Sequence, residues 1–563
     1  MNSEEGTVMV RTRMLGVVCG LLAAAVGLAV AEGLASIIGG PSPVVAVGTW
    51  AIDSSPQGIT EWAIRNFRAN DKKVLVTGVL STVVVLGALA GAIGVRAKRV
   101  GVGLTATVGA IGVLAVATVR GVHDNPVVRV SPALAALAVS TAGMWWLLTT
   151  MPKPVPAVAA VGAPPLEVPT EPLRASGLLV RERVEAPAPA ADGPERPAVM
   201  IPGRRRAPGM DRRDFMRGAV ALGAIGTVGV GAWRWDGSNT AVGAAAGTAL
   251  PRPASPAATV ANADFGIPGL SPYFTPTGDF YRVDTSIVIP QVNAATWKLK
   301  ITGMVDNPIT ITYDDLLRGR LIERDVTLTC VSNEVGGDLI GNARWLGVPV
   351  RDVLRAAGIR PGADAIKSSS VDGWTAGTPL TALTDPNRDA MFAIGMNGAA
   401  LPAEHGYPVR LVVPGLYGFV SATKWVTHLE VTRFADFEAY WTKRGWSAQA
   451  PIKTESRLEL PVPYGEIKPG ATTIAGVAWA QHRGIRKVEV QVDDQPWRTA
   501  TLAPWSNPDT WRQWKIDWDA PKGTHNLSVR ATDGTGAVQV VANASPVPDG
   551  ATGYPNALAR VIP

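Results

Sequence analysis

Two stretches of the sequence carry residues whose types and spacing could do chemistry. The first, LTCVSNEVGGDLIGNARWLGV, runs from Leu328 to Val348 and contains Cys330. The chain has one other cysteine, Cys19, which lies inside an apolar run. Cys330 follows DVTLT, which reads as a strand, and opens a polar, glycine-rich loop. Loops at strand ends are where a scaffold presents reactive groups. As a reactive group Cys330 would be a nucleophile, and a cysteine hydrolase would draw its base from His405 or His428. The plain alternative is a buried structural cysteine. The second stretch, AEHGYPVRLVVPGLYGFVSATKWV, runs from Ala403 to Val426. It sets His405, Arg410 and Lys424 among Gly406, Gly415 and Gly418. Cations beside closely approaching glycine backbone suit a phosphate-bearing ligand. Neither GxxxxGK[ST] nor GxGxxG is present, so the spacing alone does not specify that ligand.

The elements that must position these residues begin near Phe280. TSIVIP, TWKLKITG and ITITYDDLL read as short strands followed by a helix start. GVPVRDVLRAAGI (Gly347–Ile359) has the apolar period of a helix. Residues 380–435 mix short strands with Gly/Pro turns, which predicts an α+β core. From about Pro451 the texture changes. TIAGVAWA, IRKVEVQVD, WRTATLA, WRQWKIDWDA and HNLSVRATD are alternating strands at regular spacing, the pattern of a β-sandwich.

Upstream, the chain has the composition of a membrane protein fused to a soluble one. Hydrophobic residues make up 47% and charged residues 18% of its 563 residues, with a mean hydropathy of +0.16. Four segments, at about Met14–Ile38, Val74–Val95, Val100–Val119 and Pro132–Met151, are long enough to cross ~30 Å of hydrocarbon. Their Gly/Ala content suits close helix packing. Arg11, Arg13, Arg96, Lys98, Arg99 and Lys153 flank the ends that the positive-inside rule assigns to the cytoplasm. The 39–73 and 120–131 connections then face outside, although Arg65, Arg68, Lys72 and Lys73 break the pattern in the first. The net charge of +7 belongs to such flanks. No compact basic-aromatic patch points to nucleic acid. Two cysteines, without CxxC or a Cys/His cluster, leave no disulfide framework and no structural zinc.

The four spans contain no histidine, and His123 stands in an outer connection, so no haem is expected there. Their expected role is anchoring, with quinone contact or partner docking as the other uses. Glu32 is an ionisable group at membrane depth, close enough to the interface to snorkel. Residues 152–213 hold thirteen prolines and read as an extended linker on the cytoplasmic side. The linker ends in RRRAPGMDRRDFMRG, joined to a weakly apolar segment at 214–234. The pattern is that of a twin-arginine export signal, or else of a basic flank before a fifth helix. Both place the remainder of the chain outside the cytoplasm: a spacer at 235–272, an α+β domain at 273–446 and a β-sandwich at 447–563.

Taken in order, FYRVDTS, TLTCVSN…GNARWLGVPVRDVL, SSVDGWTAGTPL, FAIGMNGAALPAEHGYPVRLVVPGLYGFVSATKWV and IAGVAWA…IRKVEVQVDD resemble the sulfite oxidase family of molybdopterin enzymes. The resemblance covers about 280–545 and leaves out the four spans. It implies an α+β molybdopterin domain followed by an Ig-like dimerisation domain, which would allow a homodimer. Cys330 would be the thiolate ligand of molybdenum beside the pterin dithiolene, a soft donor for a redox metal. Tyr281 and Arg282 match the early cofactor-contacting segment. Asp372, with Thr375, matches the pterin contact after the central strand. His405 and Arg410 match the HGxPxR contacts. Ala422, Thr423 and Lys424 match the loop at the pterin end, with Lys424 on the phosphate. The implied reaction is two-electron oxygen-atom transfer on a small-molecule or oxidised-sulfur substrate, with a separate electron-transfer partner or quinone.

Two departures bear on the substrate. Sulfite oxidases carry arginines in a CAGNRR-like string after the cysteine, whereas this chain has Ser332, Asn333, Glu334 and Val335. A family tyrosine aligns with Lys443–Arg444–Gly445–Trp446, where no tyrosine stands. Both argue against sulfite, and sulfoxide reduction is an equally open comparison. An exported, cofactor-free binding protein of the same fold is the reading from another class.

Overall fold

The computed structural model describes residues 3–38, 40–56, 58–59, 62–63, 67, 71–118, 126–151 and 250–562. The linker at 152–213, the segment at 214–234, residues 235–249 of the spacer and His123 lie outside the described residues.

Helices α1 (Ser3–Ile38), α2 (Pro43–Ser54), α3 (Asp71–Gly94), α4 (Lys98–Thr118) and α5 (Pro126–Thr150) form the N-terminal region. Among the described residues, four of them are long and apolar enough to cross a membrane. Glycine lets α1 and α3 touch along their backbones. A Cβ on Gly20 would lie 1.9 Å from the Gly87 carbonyl oxygen, and one on Gly91 would lie 2.0 Å from that of Gly16. Small residues at this spacing replace the missing hydrophobic drive between helices in lipid. Helix α2 lies in a connection expected as a loop. Ser42 caps it by accepting from Val45 N, and Pro43 occupies its first turn. Those start signals were present in the sequence.

The next region contains two sheets. The first has strand order β2-β1-β10-β5-β6: β1 (Lys298–Gly303), β2 (Ile309–Thr312), β5 (Ala365–Ser370), β6 (Thr375–Pro379) and β10 (Val426–Thr432). Its β1/β10 pair is parallel. The second has order β3-β4-β7-β8: β3 (Ile322–Thr329), β4 (Ile340–Pro349), β7 (Met391–Met396) and β8 (Ala399–Ala400). Strand β9 (Arg410–Val412) pairs with β7. Leu299, Ile301, Leu354, Phe392, Leu411 and Val426 belong to one buried core, and Trp345, Met391 and Tyr407 to another. Helix α6 (Tyr313–Arg318) starts on a capping box between Thr312 and Asp315. Helix α7 (Val350–Ala357) is shorter than its apolar period suggests, because Gly347–Pro349 complete β4.

TSIVIP is not a strand. Its polar groups are bonded elsewhere: Ser286 Oγ donates to Val288 O, and the Ser286 carbonyl accepts from Lys72.

The C-terminal region is built from two further sheets. One contains β11 (Glu455–Leu460), β13 (Gly470–Trp479), β16 (Thr501–Leu502) and β17 (Arg512–Ala520). The other contains β12 (Glu466–Ile467), β14 (Ile485–Val492), β15 (Arg498–Thr499), β18 (Gly523–Asp533) and β19 (Asn556–Val561). They share a core of Ile474, Val488, Trp514, Leu527 and Val529. Trp479 and Trp511 instead join the core of the preceding region, which fastens the two together.

Candidate active site

The β3–β4 hairpin delivers Cys330. Pairing runs to Thr329–Ile340, so residues 330–339 form the hairpin loop. The loop is pinned from within. Cys330 N donates to Leu339 O at 2.9 Å, Asn333 N to Cys330 O at 3.1 Å, and Leu339 N to Asn333 Oδ1 at 2.8 Å. Cys330 is buried at 8% exposure. Burial pushes its thiol pKa up, while bonds from Ser332 and the charge of Lys424 pull it back.

The second stretch supplies the cations. Arg410 starts β9 and is buried, with its guanidinium carbon 5.0 Å from the centre of the Trp345 ring. Among the described residues its donors reach only carbonyls, those of His405 at 3.2 Å, Leu411 at 3.4 Å and Ala422 at 3.5 Å. Burial lowers the Arg410 pKa to about 10. Lys424 Nζ donates to Asp284 Oδ2 and to Glu404 O, both at 2.9 Å. Burial lowers its pKa to about 8, with Asp284 opposing. Gly406, at φ +111°, passes between these cations, because a Cβ there would sit 3.0 Å from Arg410 Cβ and 3.2 Å from Lys424 Cα. Gly418 has more room, with nothing closer than 3.6 Å to such a Cβ, and Gly415 lies against Arg388 and His482.

His405 is buried and its Nε2 lies 3.0 Å from Thr277 O. Burial, then the charge of Arg410, lowers its pKa to about 4, so the ring is neutral at neutral pH. Tyr281 stacks on Phe280 and lies within electrostatic reach of Cys330 and Arg410. Arg282 Nε donates to Asp284 Oδ2 at 2.9 Å. Asp372 accepts from Ser370 Oγ, and burial raises its pKa. The structure brings these residues together. The others behave differently. The Thr375 side chain accepts from Tyr440 N at 3.1 Å. Thr423 Oγ1 is buried 2.7 Å from Ser368 Oγ, so this position can offer only backbone to a ligand. Ala422 contributes a carbonyl to Arg410.

Sequence reading passed over Asp284 and Tyr417. Asp284 receives Lys424, Arg282 and Lys72. Burial alone would raise its pKa, but Lys424, then Lys72 and Arg282, hold it well below the carboxylate range. The signal was present: one acid stands three residues after Tyr281 in FYRVDTS. Tyr417, 1% exposed, is within electrostatic reach of Cys330. No spacing in the sequence announces it.

The donor set fits an anionic, sulfur-ligated cofactor. Among the described residues Arg410 has no carboxylate partner, and a buried guanidinium without an anion is costly. Asn333 Nδ2, three residues after Cys330, is buried without a hydrogen-bond partner. Neither histidine suggested as a base hydrogen-bonds to Cys330 among the described residues. His405 is bonded to Thr277, and His428 Nε2 lies 2.7 Å from Thr302 Oγ1.

Residues 286–441 match the family model described as the oxidoreductase molybdopterin binding domain. The chain is 28% identical over 309 residues to the mitochondrial sulfite oxidase of Homo sapiens, covering 46% of this chain and 55% of that one. To the sulfite oxidase of Arabidopsis thaliana it is 27% identical over 270 residues, covering 40% and 68%. To nitrate reductase 1 (NADH) of Oryza sativa subsp. japonica it is 26% identical over 326 residues, covering 46% and 35%. Among solved structures it is similar to the sulfane dehydrogenase SoxCD of Paracoccus pantotrophus, at 27% identity and a TM-score of 0.43, covering 48% of this chain and 75% of that one. The chain thus spans about half the length of the mammalian relatives it matches.

Proposed function

Because the chain belongs to the sulfite oxidase family of molybdopterin-dependent oxidoreductases, we propose that it is a membrane-anchored enzyme transferring an oxygen atom to or from an oxidised-sulfur compound outside the cytoplasm. The observation that carries this reading is the pairing of a buried Cys330 with two buried cations, Arg410 and Lys424, one of them without a carboxylate.

Molybdopterin, when bound, supplies the two-electron redox chemistry. The chain's residues supply the rest. Cys330 would give the metal a thiolate, which ligation would favour against the burial that raises its pKa. Arg410 and Lys424 would hold the anionic end of the cofactor. Neutral His405 offers ring nitrogens without adding charge. The enclosure of Cys330 by its pinned hairpin loop limits the access of water. Electrons pass to or from a separate partner or quinone, and the paired sheets of the C-terminal region make an Ig-like dimerisation module.

Asp53 and Lys72, both within the 39–73 connection, bond to the catalytic region. The catalytic region therefore shares a side with that connection, and the positive-inside rule puts this side outside. Replacing Arg212 and Arg213 together by lysine keeps the charge but removes the twin-arginine signal. The catalytic region should then remain inside, as read by protease protection in spheroplasts; normal export would leave an ordinary fifth helix.

The deciding experiment uses the full chain, purified in detergent from a cofactor-competent host. It should contain about one molybdenum and one pterin per chain and should turn over sulfoxides or sulfite with an artificial electron carrier. Folded protein without molybdenum from that host would end the reading.

A further inference from the structure

Helix α3 opens with Asp71, followed by Lys72 and Lys73. Cations in a first turn oppose the helix dipole, and their ordinary use beside a membrane is to reach the headgroup layer. Lys73 is exposed and fits that use. Lys72 does not. Its Nζ donates to Asp284 Oδ1 and, at 2.6 Å, to Ser286 O, and its side chain is only 22% exposed. Asp284, at 6% exposure, is the same carboxylate that receives Lys424 and Arg282. Nearby contacts repeat the pattern. A Cβ on Gly48 of α2 would lie 2.7 Å from Ile287 Cδ1. Asp53, at the end of α2, accepts from Tyr440 Oη at 2.9 Å and from Arg444 Nη2 at 2.8 Å. The Arg444 guanidinium lies 3.7 Å from the centre of the Tyr440 ring. An anchor needs none of these contacts.

We infer that the membrane region is one wall of the cofactor site, with Lys72 a positioning residue that holds Asp284, and through it Lys424 and Arg282, where a phosphate group binds. This rests on the molybdopterin reading and deepens it. Three cations share one carboxylate, which leaves an excess of two positive charges. A phosphate monoester carries about −1.5 to −2 at neutral pH. Removing Lys72 halves that excess and frees Asp284 to draw Lys424 fully to itself.

The test uses full-length chain, loaded in a cofactor-competent host and dialysed in detergent, with pterin and molybdenum counted per chain over time. Lys72→Met should lose pterin about tenfold faster than wild type, a loss of one charge contact worth ~1.4 kcal/mol, whereas Lys72→Arg should stay within a factor of two to three. Asp53→Asn loosens the neighbouring contact without touching the ion cluster, and it should retain pterin at the wild-type rate. Equal losses from Lys72→Met and Asp53→Asn would reduce Lys72 to mechanical support and overturn the inference, as would unchanged retention in Lys72→Met. In both cases the wild type still holds molybdenum and the enzyme reading stands. Lysine labelling of cofactor-free chain supplies a second readout. Lys72 should acetylate at least tenfold more slowly than Lys73, and equal rates overturn the contact whatever the cofactor content.

Discussion

The two sides of the site are fixed by different physics. Cys330 is held mainly by its own neighbourhood, since the bonds to its backbone and to Asn333 join residues within 330–339, and Arg457 adds one from outside at Gly337 O. Asp284 is held by nearby Arg282 and, across the chain, by Lys72 at a separation of 212 and Lys424 at 140. A metal ligand must be placed to a fraction of an ångström, and short-range backbone bonds do that at little entropic cost. An anionic tail needs net charge more than exact geometry, and long-range ion pairs in a buried site provide it. If this division is right, changes on the cysteine side should remove chemistry and spare binding, and changes on the cation side should do the reverse.

The largest effect is expected at the cysteine. Cys330→Ser should bring turnover below detection while pterin content stays near that of wild type, measured by oxidative fluorescence on the same preparation. Its loop does not depend on the sulfur, because the loop bonds use backbone and Asn333. Turnover at the wild-type level would remove Cys330 as a metal ligand.

Arg410→Met tests the opposite side. Losing one partner of a buried charge contact typically costs 2–5 kcal/mol of binding, roughly 30-fold or more in cofactor retention. The cofactor-free chain should respond in the other direction. Arg410 is buried at 4% exposure without a carboxylate partner among the described residues. Its contact over Trp345 is worth ~0.5–2 kcal/mol, less than the several kcal/mol that burying an ion costs. The melting temperature of cofactor-free Arg410→Met should therefore match or exceed that of the parent. A clear fall would show that Arg410 is structural.

The pH dependence separates the two states further. Burial lowers Lys424 to about 8, below its unfolded value near ~10.4. In the cofactor-free chain the charged form is therefore penalised below pH 8, and the penalty is relieved as pH rises from 8 towards 10. In the loaded chain the same deprotonation removes a phosphate partner. Between pH 8 and 10 the cofactor-free chain should gain stability while the loaded chain loses pterin several-fold faster, read by thermal melts and pterin release. Parallel trends would contradict the assignment of Lys424.

The same division governs what the sequence could reveal. Cys330, His405, Arg410 and Lys424 sit in compact motifs whose order along the chain resembles a known family, so they could be named from the sequence, although their partners Thr277, Asp284 and Trp345 lie far from them in the chain. The β3–β4 hairpin was half legible, through the alternation of DVTLT. Lys72 was not, because a lysine before an apolar helix looks the same whether it meets headgroups or Asp284. TSIVIP misled because β-branched alternation reports what a segment could pair with, whereas here the Ser286 hydroxyl bonds within the segment to Val288 O and the Ser286 carbonyl accepts from distant Lys72. Helix α2 was missed although Ser42 and Pro43 announced it, because the connection was read by charge rather than by capping.

The smallest expected effect concerns substrate choice. The CAGNRR-like string suggests arginine at Asn333 and Glu334 together, but the structure separates them. Asn333 is 2% exposed, and its side-chain oxygen closes the Cys330 loop through Leu339 N. Arginine there would break the loop and report only damage. Glu334 is exposed, and its backbone carbonyl, not its side chain, serves the turn by accepting from Gly337 N at 2.8 Å. Glu334→Arg therefore changes charge near the site without unfolding it. An exposed charge contributes up to ~1 kcal/mol, or up to about fivefold. Sulfite kcat/KM should rise by that much at low ionic strength and the gain should fade with salt, while turnover of a neutral sulfoxide stays unchanged. Equal gains on both substrates would mean that Glu334 acts on the loop rather than on the charge of the substrate.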